Sequence, residues 1–339
     1  MIEKIEDVTP ENLQKELDSI ADRLDLESLE DYKRFPQFFQ IETVRICNSR
    51  CTFCAVNQWD KSVPFMSDYL FDKIAEEMSD YTDWIRFVAL QRAGEPLLDK
   101  SLFDRIKKLK DIGVKFVTGS TNASLLDEDN ARKMLEAGLD ELMISIDSVD
   151  KAEYEAVRKG LNFDVVSKNI RNFFRIRDEI SPDVIIRVRG VAAYDIHAPE
   201  RRNAMQMWED FWADIRRPHD RIYIKKLHTW GNEYIQDEQK GNYVQDLTYH
   251  PCVVPWGTFH VTTMGLVPLC GQDVDAKHNH GDINKQSIAE VWNGEGFNRI
   301  RNLHATGKRN EINNCVRCRL FDPEFSMEKD NDKVGYFAM

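Results

Sequence analysis

The chain has 339 residues, of which 31% are charged and 42% hydrophobic, a balance typical of a globular protein. This length is enough for one large domain, or for one large and one small domain. The formal net charge of −12 argues against a nucleic-acid partner, because nucleic-acid binders need a basic surface; a locally basic cleft would be the exception. No apolar run approaches the roughly 20 residues that span a bilayer. The acidic N-terminus is unlike a signal peptide, so we expect a cytoplasmic protein with no membrane segment.

The N-terminal extension, residues 1–37, is predicted to contain one helix over residues 10–26, capped by Thr9 ahead of Pro10. From Phe38 to about residue 230, apolar strand patterns alternate with helical patterns. The predicted strands are residues 41–46, 84–90, 114–118, 141–146, 184–188 and 221–224. The predicted helices are residues 69–79, 101–112, 128–137, 151–157, 164–176 and 201–215.

Six β/α repeats predict a parallel sheet with helices on its outside, curved like a barrel. Six repeats are short of the eight that close a full barrel, so residues 38–230 are predicted to form a curved parallel sheet of the α/β class. In such a sheet the chemistry belongs at the carboxyl ends of the strands. Residues that follow a predicted strand are therefore the first candidates for a functional site.

The alternation stops after residue 230. Residues 258–263 and 266–269 flank Met264-Gly265, which predicts a β-hairpin, and helical patterns follow at residues 287–292 and 296–303. Residues 231–325 are therefore predicted to form a small α+β C-terminal domain, and residues 326–339 a tail that we leave uninterpreted.

Seven cysteines in a cytosolic chain favour metal or redox chemistry over disulfides. Residues 47–54, directly after the first predicted strand, read Cys-Asn-Ser-Arg-Cys-Thr-Phe-Cys. Cys-x3-Cys-x2-Cys supplies three of the four ligands that a cubane iron–sulfur cluster usually has, so one iron keeps an open position. The alternatives are three buried cysteines without a common role, or part of a zinc site.

This triplet, with the aromatic Phe53 before the third cysteine, resembles the signature of the radical S-adenosylmethionine (SAM) superfamily. The resemblance implies that Cys47, Cys51 and Cys54 bind a [4Fe–4S] cluster whose open iron chelates the amino and carboxylate groups of SAM. It further implies reductive cleavage of SAM to a 5′-deoxyadenosyl radical, with an electron from a flavodoxin- or ferredoxin-type donor. The fold that the resemblance implies for residues 38–230 is an open, partial (β/α)6 TIM barrel.

Polar motifs after the next strands extend the resemblance. Residues 92–96 read Arg-Ala-Gly-Glu-Pro, similar to the Gly-Gly-Glu-Pro motif that binds the amino group of SAM, with Ala93 in place of the first glycine. A glycine lets the backbone approach a ligand, and a carboxylate accepts hydrogen bonds from an ammonium group. A common turn is the alternative reading of this motif. The strand ends at residues 118–123 and 145–148 and the Arg-Lys-Gly at residues 158–160 also match, with helix capping as the alternative for the short polar residues. The resulting predicted cofactor-binding residues are Phe53, Ala93, Gly94, Glu95, Asn122, Ser145, Asp147 and Arg158.

Four cysteines near the C-terminus, with the spacing Cys-x17-Cys-x44-Cys-x2-Cys, can enclose one metal centre, either zinc or a second cluster. Together with Gly-Asp-Ile at 281–283 and Ala-Glu-Val-Trp-Asn at 289–293, they resemble the SPASM/twitch extension of radical SAM enzymes. No cysteine follows the last of them, which resembles the shorter twitch form with one fully ligated auxiliary [4Fe–4S] cluster. The implied ligands of that cluster are Cys252, Cys270, Cys315 and Cys318.

The cysteine count also indicates what happens after hydrogen abstraction. Radical epimerases return a hydrogen from a cysteine thiol, whereas here the two implied clusters use all seven cysteines. An auxiliary cluster suits net oxidation, and the layout is similar to that of a twitch-type aminocyclitol dehydrogenase. We therefore expect dehydrogenation of a secondary alcohol in a sugar, cyclitol or related small molecule. The alternatives are maturation of a ribosomal peptide, epimerisation with a tyrosine as hydrogen donor, and a metal-binding protein without turnover.

A dehydrogenation also needs a group that accepts a proton. Arg187 and Arg189 lie on one face of the fifth predicted strand, because side chains alternate along a strand. Other candidates lie where the barrel joins the C-terminal domain, although a structural role is the alternative for each of them. The predicted catalytic residues are Arg187, Arg189, Lys225 and His228, and Lys226, His250 and His260 are further general-base candidates.

Overall fold

A computed structural model describes residues 9–192, 202–226, 250–316 and 318 of the chain. Within them one seven-stranded sheet has the order β6-β5-β4-β3-β2-β1-β7, and every neighbouring pair is parallel. The strands are β1 Phe38–Ile41, β2 Phe87–Ala89, β3 Val117–Thr121, β4 Glu141–Ser145, β5 Ile185–Ala192, β6 Arg221–Lys226 and β7 Thr258–Val261. The partial barrel that the resemblance implies is thus confirmed, with one strand more than expected.

Helices connect these strands and bury the apolar stripe that each sequence pattern predicts. The helices are α1 Pro10–Leu24, α2 Asp68–Ser79, α3 Leu102–Asp111, α4 Glu128–Glu136, α5 Lys151–Val157, α6 Phe163–Ile180, α7 Arg202–Trp212, α8 Val254–Gly257, α9 Ile288–Trp292 and α10 Glu295–Ala305. Side chains of Ser67, Asp127, Asp150 and Asn162 each accept a backbone N–H at a helix start. None of the described helices is both long enough and apolar enough to cross a bilayer.

The first strand is shifted from its predicted position. It covers Phe38–Ile41 rather than residues 41–46, because residues 38–40 pair with β2 and β7 and Ile41 pairs with β7. The chain then turns to an antiparallel partner: Arg45 N–H donates to the Pro64 carbonyl at 2.8 Å, and Met66 N–H donates to that of Thr43 at 2.9 Å. This change of partner releases the backbone from the sheet just before the cysteine triplet.

The predicted hairpin at residues 258–269 is correct in its turn and wrong in its pairing. Gly265 has a φ of +84°, and Thr262 N–H donates to the Leu266 carbonyl at 3.0 Å. However, β7 lies parallel to β1 in the main sheet, while Val267 pairs with residues 280 and 281 instead. The apolar faces of Phe259 and Val261 are fully buried there. The C-terminal region thus contributes a strand to the barrel sheet itself.

Buried contacts fix the rest of the C-terminal region to the barrel exterior. The Trp292 indole N–H donates to the Tyr32 carbonyl at 2.7 Å, and the Lys73 ammonium donates to the Gln286 carbonyl at 2.9 Å. The Arg301 guanidinium lies 4.1 Å from the Tyr32 ring centroid. These contacts hold helices α9 and α10 rigidly, and with them the cysteines that flank these helices.

Candidate functional site

The cysteine triplet lies in a loop at the carboxyl edge of the sheet, after β1. The loop is held by the end of helix α5: Arg50 N–H donates to the Lys159 carbonyl at 2.9 Å and Thr52 N–H to the Val157 carbonyl at 3.0 Å. Since α5 follows β4, the sheet itself sets the position of the loop. All three sulfurs belong to partly buried side chains on one short segment.

Hydrogen-bond donors surround the triplet sulfurs. Ser49 N–H donates to Cys47 Sγ at 3.5 Å, Ser49 Oγ lies 3.1 Å from Cys51 Sγ, and Asn122 Nδ2 donates to Cys47 Sγ at 3.8 Å. Burial raises the pKa of the Cys47 thiol to about 11 and that of Cys54 to about 12, which favours the protonated thiols in the protein alone. Iron ligands are thiolates, and hydrogen bonds to sulfur stabilise them. The donor set therefore fits the implied cluster.

Glu95 is a buried carboxylate whose partners carry no charge. The Thr121 hydroxyl donates to Oε1 at 2.6 Å, Asn122 N–H donates to Oε2 at 2.8 Å, and Leu97 N–H donates to Oε1 at 3.3 Å. Burial raises the pKa of Glu95, because the charged form is desolvated. A carboxylate held in this way attracts a cation strongly. The arrangement suits an ammonium group, as the sequence motif implies.

Gly94 is required for a reason that the sequence does not give. A β-carbon at this position would lie 2.8 Å from the Val44 carbonyl oxygen, and still closer to that of Ile46. Gly94 N–H donates to the Val44 carbonyl at 3.3 Å, and Glu95 N–H donates to that of Ile46 at 2.9 Å. The backbone of the motif thus approaches the chain before the triplet. This close packing of two backbone segments requires a glycine, and the expectation that Gly94 also admits a ligand stays a prediction.

Asn122 and Ala93 contact the cysteine loop directly. Asn122 Nδ2 donates to Asn48 Oδ1 at 2.9 Å, and Asn122 Oδ1 accepts from the Ser124 N–H at 2.9 Å. Ala93 packs, together with Cys47 and Cys54, against a small buried cluster formed by Ala55, Val56, Trp59 and Val274. Both predicted cofactor residues therefore lie within contact of the triplet.

Asp147, Arg158 and Phe53 form a connected group on the opposite side of the loop. Arg158 Nε donates to Asp147 Oδ2 at 2.6 Å, and the guanidinium lies 5.9 Å from the Phe53 ring centroid. Burial by itself disfavours the charged guanidinium, but the carboxylate of Asp147 and the nearby Cys51 outweigh it and raise the pKa of Arg158. Asp147 Oδ1 also accepts the Val191 N–H at 2.9 Å. This group ties the ends of β4 and β5 to the cysteine loop.

The two arginines of β5 have different surroundings. Arg187 Nε donates to Glu141 Oε2 at 2.5 Å, and Thr118 donates to the other oxygen of Glu141, so a buried polar chain fills the barrel towards its amino edge. Arg189 lies beside Ser145 at the carboxyl edge, where its Nη2 is 3.4 Å from Ser145 Oγ. Arg189 Nε has no hydrogen-bond partner among the described residues. Arg189, rather than Arg187, is therefore positioned to bind an anionic group.

All four C-terminal cysteines line one cavity. Cys252 precedes α8, Cys270 follows the turn at Gly265, and Cys315 and Cys318 follow α10. Leu269, Ile300, Leu303 and Ile312 form an apolar wall against which Cys270 and Cys315 pack. Burial raises the pKa of the Cys252, Cys270 and Cys315 thiols, and the nearby cysteines raise it further. Four thiols that face one cavity can ligate a cluster completely.

The described residues include no three His, Cys, Asp or Glu side chains that converge as ligands of a single metal ion do. A structural zinc site holds its sulfurs about 2.3 Å from one central ion. Four cysteines that line one cavity are compatible with either zinc or an iron–sulfur cluster.

A short segment joins the two cysteine sites. Residues 270–275 run from the C-terminal cavity to the triplet, and two buried arginines hold them: Arg92 donates to the carbonyls of Asp273 and Val274, and Arg45 donates to that of Val274 at 2.6 Å. Glu42 lies 3.5 Å from Arg92 and 3.6 Å from Arg45. Val274 then packs in the cluster that contacts Cys47 and Cys54. The sites are thus linked through one continuous stretch of chain.

The residues proposed as general bases lie in different places in the structure. His228 lies outside the described residues, as do the side chains of Lys225 and Lys226. His250 is buried, and its Nδ1 lies 3.2 Å from Glu16 of α1. His260 lies on β7, lines the C-terminal cavity, and has Nδ1 2.9 Å from Gln40 Oε1. Burial, and secondarily Arg92, lower the pKa of His260 to about 3, so that its imidazole is neutral.

Sequence reasoning did not identify several residues of this region. They are Ser49 and Asn48 beside the triplet, Arg45 and Glu42 beneath the linking segment, and His304 and Arg309 in the C-terminal cavity. Ser49 and Asn48 lie inside the motif and could have been inferred from it. The others come from distant parts of the chain, and no motif marks them.

Two family models match the chain. The radical SAM superfamily matches residues 41–190, and an iron–sulfur cluster-binding domain, SPASM, matches residues 252–319. A radical SAM domain implies a SAM-binding [4Fe–4S] cluster, and a SPASM domain implies additional iron–sulfur clusters. The triplet lies in the first match, and Cys252, Cys270, Cys315 and Cys318 lie in the second.

Curated relatives share part of this sequence. A probable GTP 3′,8-cyclase of Sulfurisphaera tokodaii is 31% identical over 143 residues, which are 42% of this chain and 44% of that protein. A GTP 3′,8-cyclase of Limosilactobacillus fermentum is 24% identical over 225 residues, 66% of each chain. In the first of these relatives the match spans less than half of the protein.

Solved structures share the fold. BtrN in complex with AdoMet and 2-DOIA has a TM-score of 0.55 at 18% identity, over 82% of this chain and 91% of that one. Streptococcus suis SuiB bound to the precursor peptide SuiA has a TM-score of 0.61 at 15% identity, over 86% of this chain and 71% of that one. At these identities the likeness concerns the fold alone.

Proposed function

Because the chain belongs to the radical SAM superfamily and has a C-terminal SPASM domain, we propose that it dehydrogenates a secondary alcohol of a polar small molecule. The observation that carries this proposal is the pair of cysteine sites. All seven cysteines lie in the triplet or around the C-terminal cavity. No cysteine is then left to return a hydrogen to a substrate radical, while a fully ligated cluster is available to accept an electron.

SAM and the clusters would supply the radical and the electron acceptor: the alcohol carbon gives a hydrogen atom, a base takes one proton, and one electron leaves the substrate. For SAM binding, we propose that Glu95 accepts the ammonium group and that Asn122, Ser145 and Asp147 contact the rest of the molecule. Arg189 is the proposed partner of a carboxylate. The protein holds these groups at strand ends, which fixes their geometry before SAM binds.

The linking segment supports transfer of the electron. It begins at Cys270 and ends at Val274, which packs with the residues around Cys47 and Cys54. Arg45 and Arg92 hold this segment by its carbonyl groups and leave it little freedom. A substrate bound near the triplet would therefore lie close to the chain that leads to the auxiliary ligands.

His260 is proposed as a neutral hydrogen-bonding group beside the auxiliary site rather than as the proton acceptor, because a pKa lowered to about 3 makes it a weak base. Its neighbour Gln40 offers Oε1 at 2.9 Å, so that Nδ1 donates and Nε2 keeps its lone pair. Nε2 has no hydrogen-bond partner among the described residues. Arg187, in contrast, is occupied by Glu141, so we leave it out of the proposed reaction.

Maturation of a peptide is the second candidate, because a structure with this fold, SuiB, is bound to a precursor peptide. A nucleoside triphosphate is a third substrate to test, since the named relatives are GTP cyclases. Both use the same clusters, so only substrate and product distinguish them from the first proposal.

The test is to incubate the anaerobically reconstituted protein with SAM, a reductant and one substrate at a time from three classes: polyols and aminocyclitols, peptides, and GTP. We expect 5′-deoxyadenosine and a product lighter by two hydrogens, in equal amounts, with a compound of the first class. The Cys270→Ala variant is expected to cleave SAM but to lose at least a hundredfold in product. Product formation with peptides or GTP only, or an unchanged yield in Cys270→Ala, would overturn the proposal.

A further inference from the structure

His304 lies buried in the C-terminal cavity between two of the implied cluster ligands. Its side chain is 1% exposed and belongs to helix α10, whereas Cys252 and Cys315 lie on either side of that helix in sequence. The Cys252 N–H donates to Nδ1 at 3.0 Å, and Nε2 lies 3.6 Å from Cys315 Sγ. No sequence motif points to this histidine.

The first of these contacts fixes the tautomer. A backbone N–H can only donate, so Nδ1 must accept and cannot carry a proton. In the neutral imidazole the proton then resides on Nε2. That nitrogen faces the sulfur, and the contact is a hydrogen bond from N–H to Cys315 Sγ.

Hydrogen bonds to the sulfurs of an iron–sulfur cluster raise its reduction potential, because they stabilise the additional negative charge of the reduced state. We propose that His304 is a positioning residue that raises the reduction potential of the auxiliary cluster by donating from Nε2 to Cys315. Cys252 takes part through its backbone, since its N–H sets the tautomer. This inference concerns the cluster and does not depend on which substrate is oxidised.

Asn314 is a second donor around the same cavity. Its side chain is 3% exposed, and neither its amide nitrogen nor its amide oxygen has a hydrogen-bond partner among the described residues. It lines the cavity next to Cys315. An amide buried without a partner is unfavourable, so we expect Nδ2 to donate to the sulfur-rich group in the cavity. Its contribution adds to that of His304.

The experiment uses the full chain with Cys47, Cys51 and Cys54 changed to alanine, so that the auxiliary cluster alone gives a signal. Its midpoint potential is measured by an EPR-monitored redox titration. We expect His304→Phe to lower the midpoint potential by about 59 mV. For a one-electron couple this is an about tenfold lower ratio of reduced to oxidised cluster at a fixed potential. His304→Gln places an amide N–H near the position of Nε2 and is expected to restore most of the shift.

The matched control is His280→Phe, since His280 is a histidine of the same domain that packs on Phe297 and does not line the cavity. It should leave the midpoint unchanged. An unchanged midpoint in His304→Phe with full iron content would overturn the proposal, as would an equal shift in His280→Phe.

If His304→Phe does not retain iron, the parent protein, in which only Cys47, Cys51 and Cys54 are changed to alanine, is labelled with 15N-histidine and measured by EPR. A 15N hyperfine coupling from the reduced auxiliary cluster that disappears in His304→Gln supports the proposal. The absence of any histidine coupling in the parent would overturn it. Neither result depends on turnover, so failure here is distinct from failure of the proposed dehydrogenation.

Discussion

The two cysteine sites differ in how the chain assembles them. The triplet comes from one loop, residues 47–54, and its three sulfurs leave a position open for a further ligand. The four C-terminal cysteines come from three separate segments between residues 252 and 318 and face one cavity. The first site is local and incomplete, as binding of a cofactor requires. The second is assembled by tertiary structure and supplies four thiols, which suits the electron acceptor that we propose.

Their surroundings differ in the same sense. Beside the triplet stands Glu95, a buried carboxylate whose hydrogen bonds from the described residues come from neutral donors. Beside the C-terminal cavity stand His304 and Arg309, and Arg309 donates to the carbonyls of Cys315 and Cys318 at 3.1 and 2.5 Å. Donors to sulfur are present at both sites, from Ser49 and Asn122 at the triplet and from His304 at Cys315, so they do not distinguish the two. The buried carboxylate of Glu95 does, and it supports the proposal that SAM binds at the triplet.

Removal of the triplet sulfurs is expected to have the largest effect. In the variant with Cys47, Cys51 and Cys54 changed to alanine, cleavage of SAM should be abolished, while iron should fall from about eight to about four per chain. Iron, sulfide and zinc are measured after anaerobic reconstitution. As a control, alanine at the four C-terminal cysteines should also leave about four irons but retain cleavage of SAM.

Two results would contradict this comparison. About four irons with one zinc in the unaltered protein would make the C-terminal site structural and undercut the electron-acceptor argument. Iron close to zero in the unaltered protein would contradict a cluster at either site.

The next largest effect is expected from Glu95→Gln. The amide keeps the size of the side chain but cannot neutralise an ammonium group, and a hydrogen bond to a charged group contributes about 1.5–3 kcal/mol. We therefore expect SAM affinity to fall about tenfold to hundredfold, measured by anaerobic equilibrium binding. The control is Glu141→Gln, a buried carboxylate on β4 that is paired with Arg187 and should leave SAM affinity unchanged. If the two variants bind SAM with equal affinity, Glu95 does not contact SAM.

A smaller effect is expected from Arg92→Leu, which releases the segment between the two sites. The carbonyl of Asp273 loses the donor Arg92, while that of Val274 keeps Arg45, and an unsatisfied buried group costs about 1–3 kcal/mol. The product formed per 5′-deoxyadenosine should fall about tenfold at unchanged SAM affinity, consistent with that energy. Arg105→Leu is the matched control, because the Arg105 side chain is similarly buried but pairs with the exposed Asp68 and the buried Asp99. If Arg92→Leu and Arg105→Leu lower the product formed per 5′-deoxyadenosine equally, a general loss of stability explains the effect.

The smallest effect on cleavage of SAM is expected from Arg187→Met. Removal of one partner leaves Glu141 as an uncompensated buried charge, so stability should fall by about 3–5 kcal/mol. The double variant Arg187→Met with Glu141→Gln should recover much of this loss, as followed by thermal unfolding. Cleavage of SAM by the folded protein should be unchanged. A large loss of cleavage at unchanged stability would place Arg187 among the catalytic residues after all.

The sequence determined most of the architecture and the local site. Helix α5 has the predicted bounds, and the other five helices of the β/α repeats lie close to theirs, because capping residues and apolar spacing are local signals. The Cys-x3-Cys-x2-Cys spacing, the Gly94-Glu95 pair and the strand ends at Asn122 and Asp147 identified one edge of the sheet. In a parallel sheet all carboxyl ends meet at that edge, so local motifs there become neighbours.

Only the tertiary structure decided the rest. β7 pairs with β1 rather than with residues 266–269, because burial of Phe259 and Val261 in the main sheet outweighs a local hairpin that its turn alone predicts. The roles of Gly94 and Arg187 likewise depend on partners far along the chain, Val44 and Glu141 respectively. His304 has no signal in sequence, since its two contacts lie 52 and 11 residues away. Spacing indicates which residues are cysteines of one site, whereas long-range packing decides what surrounds them.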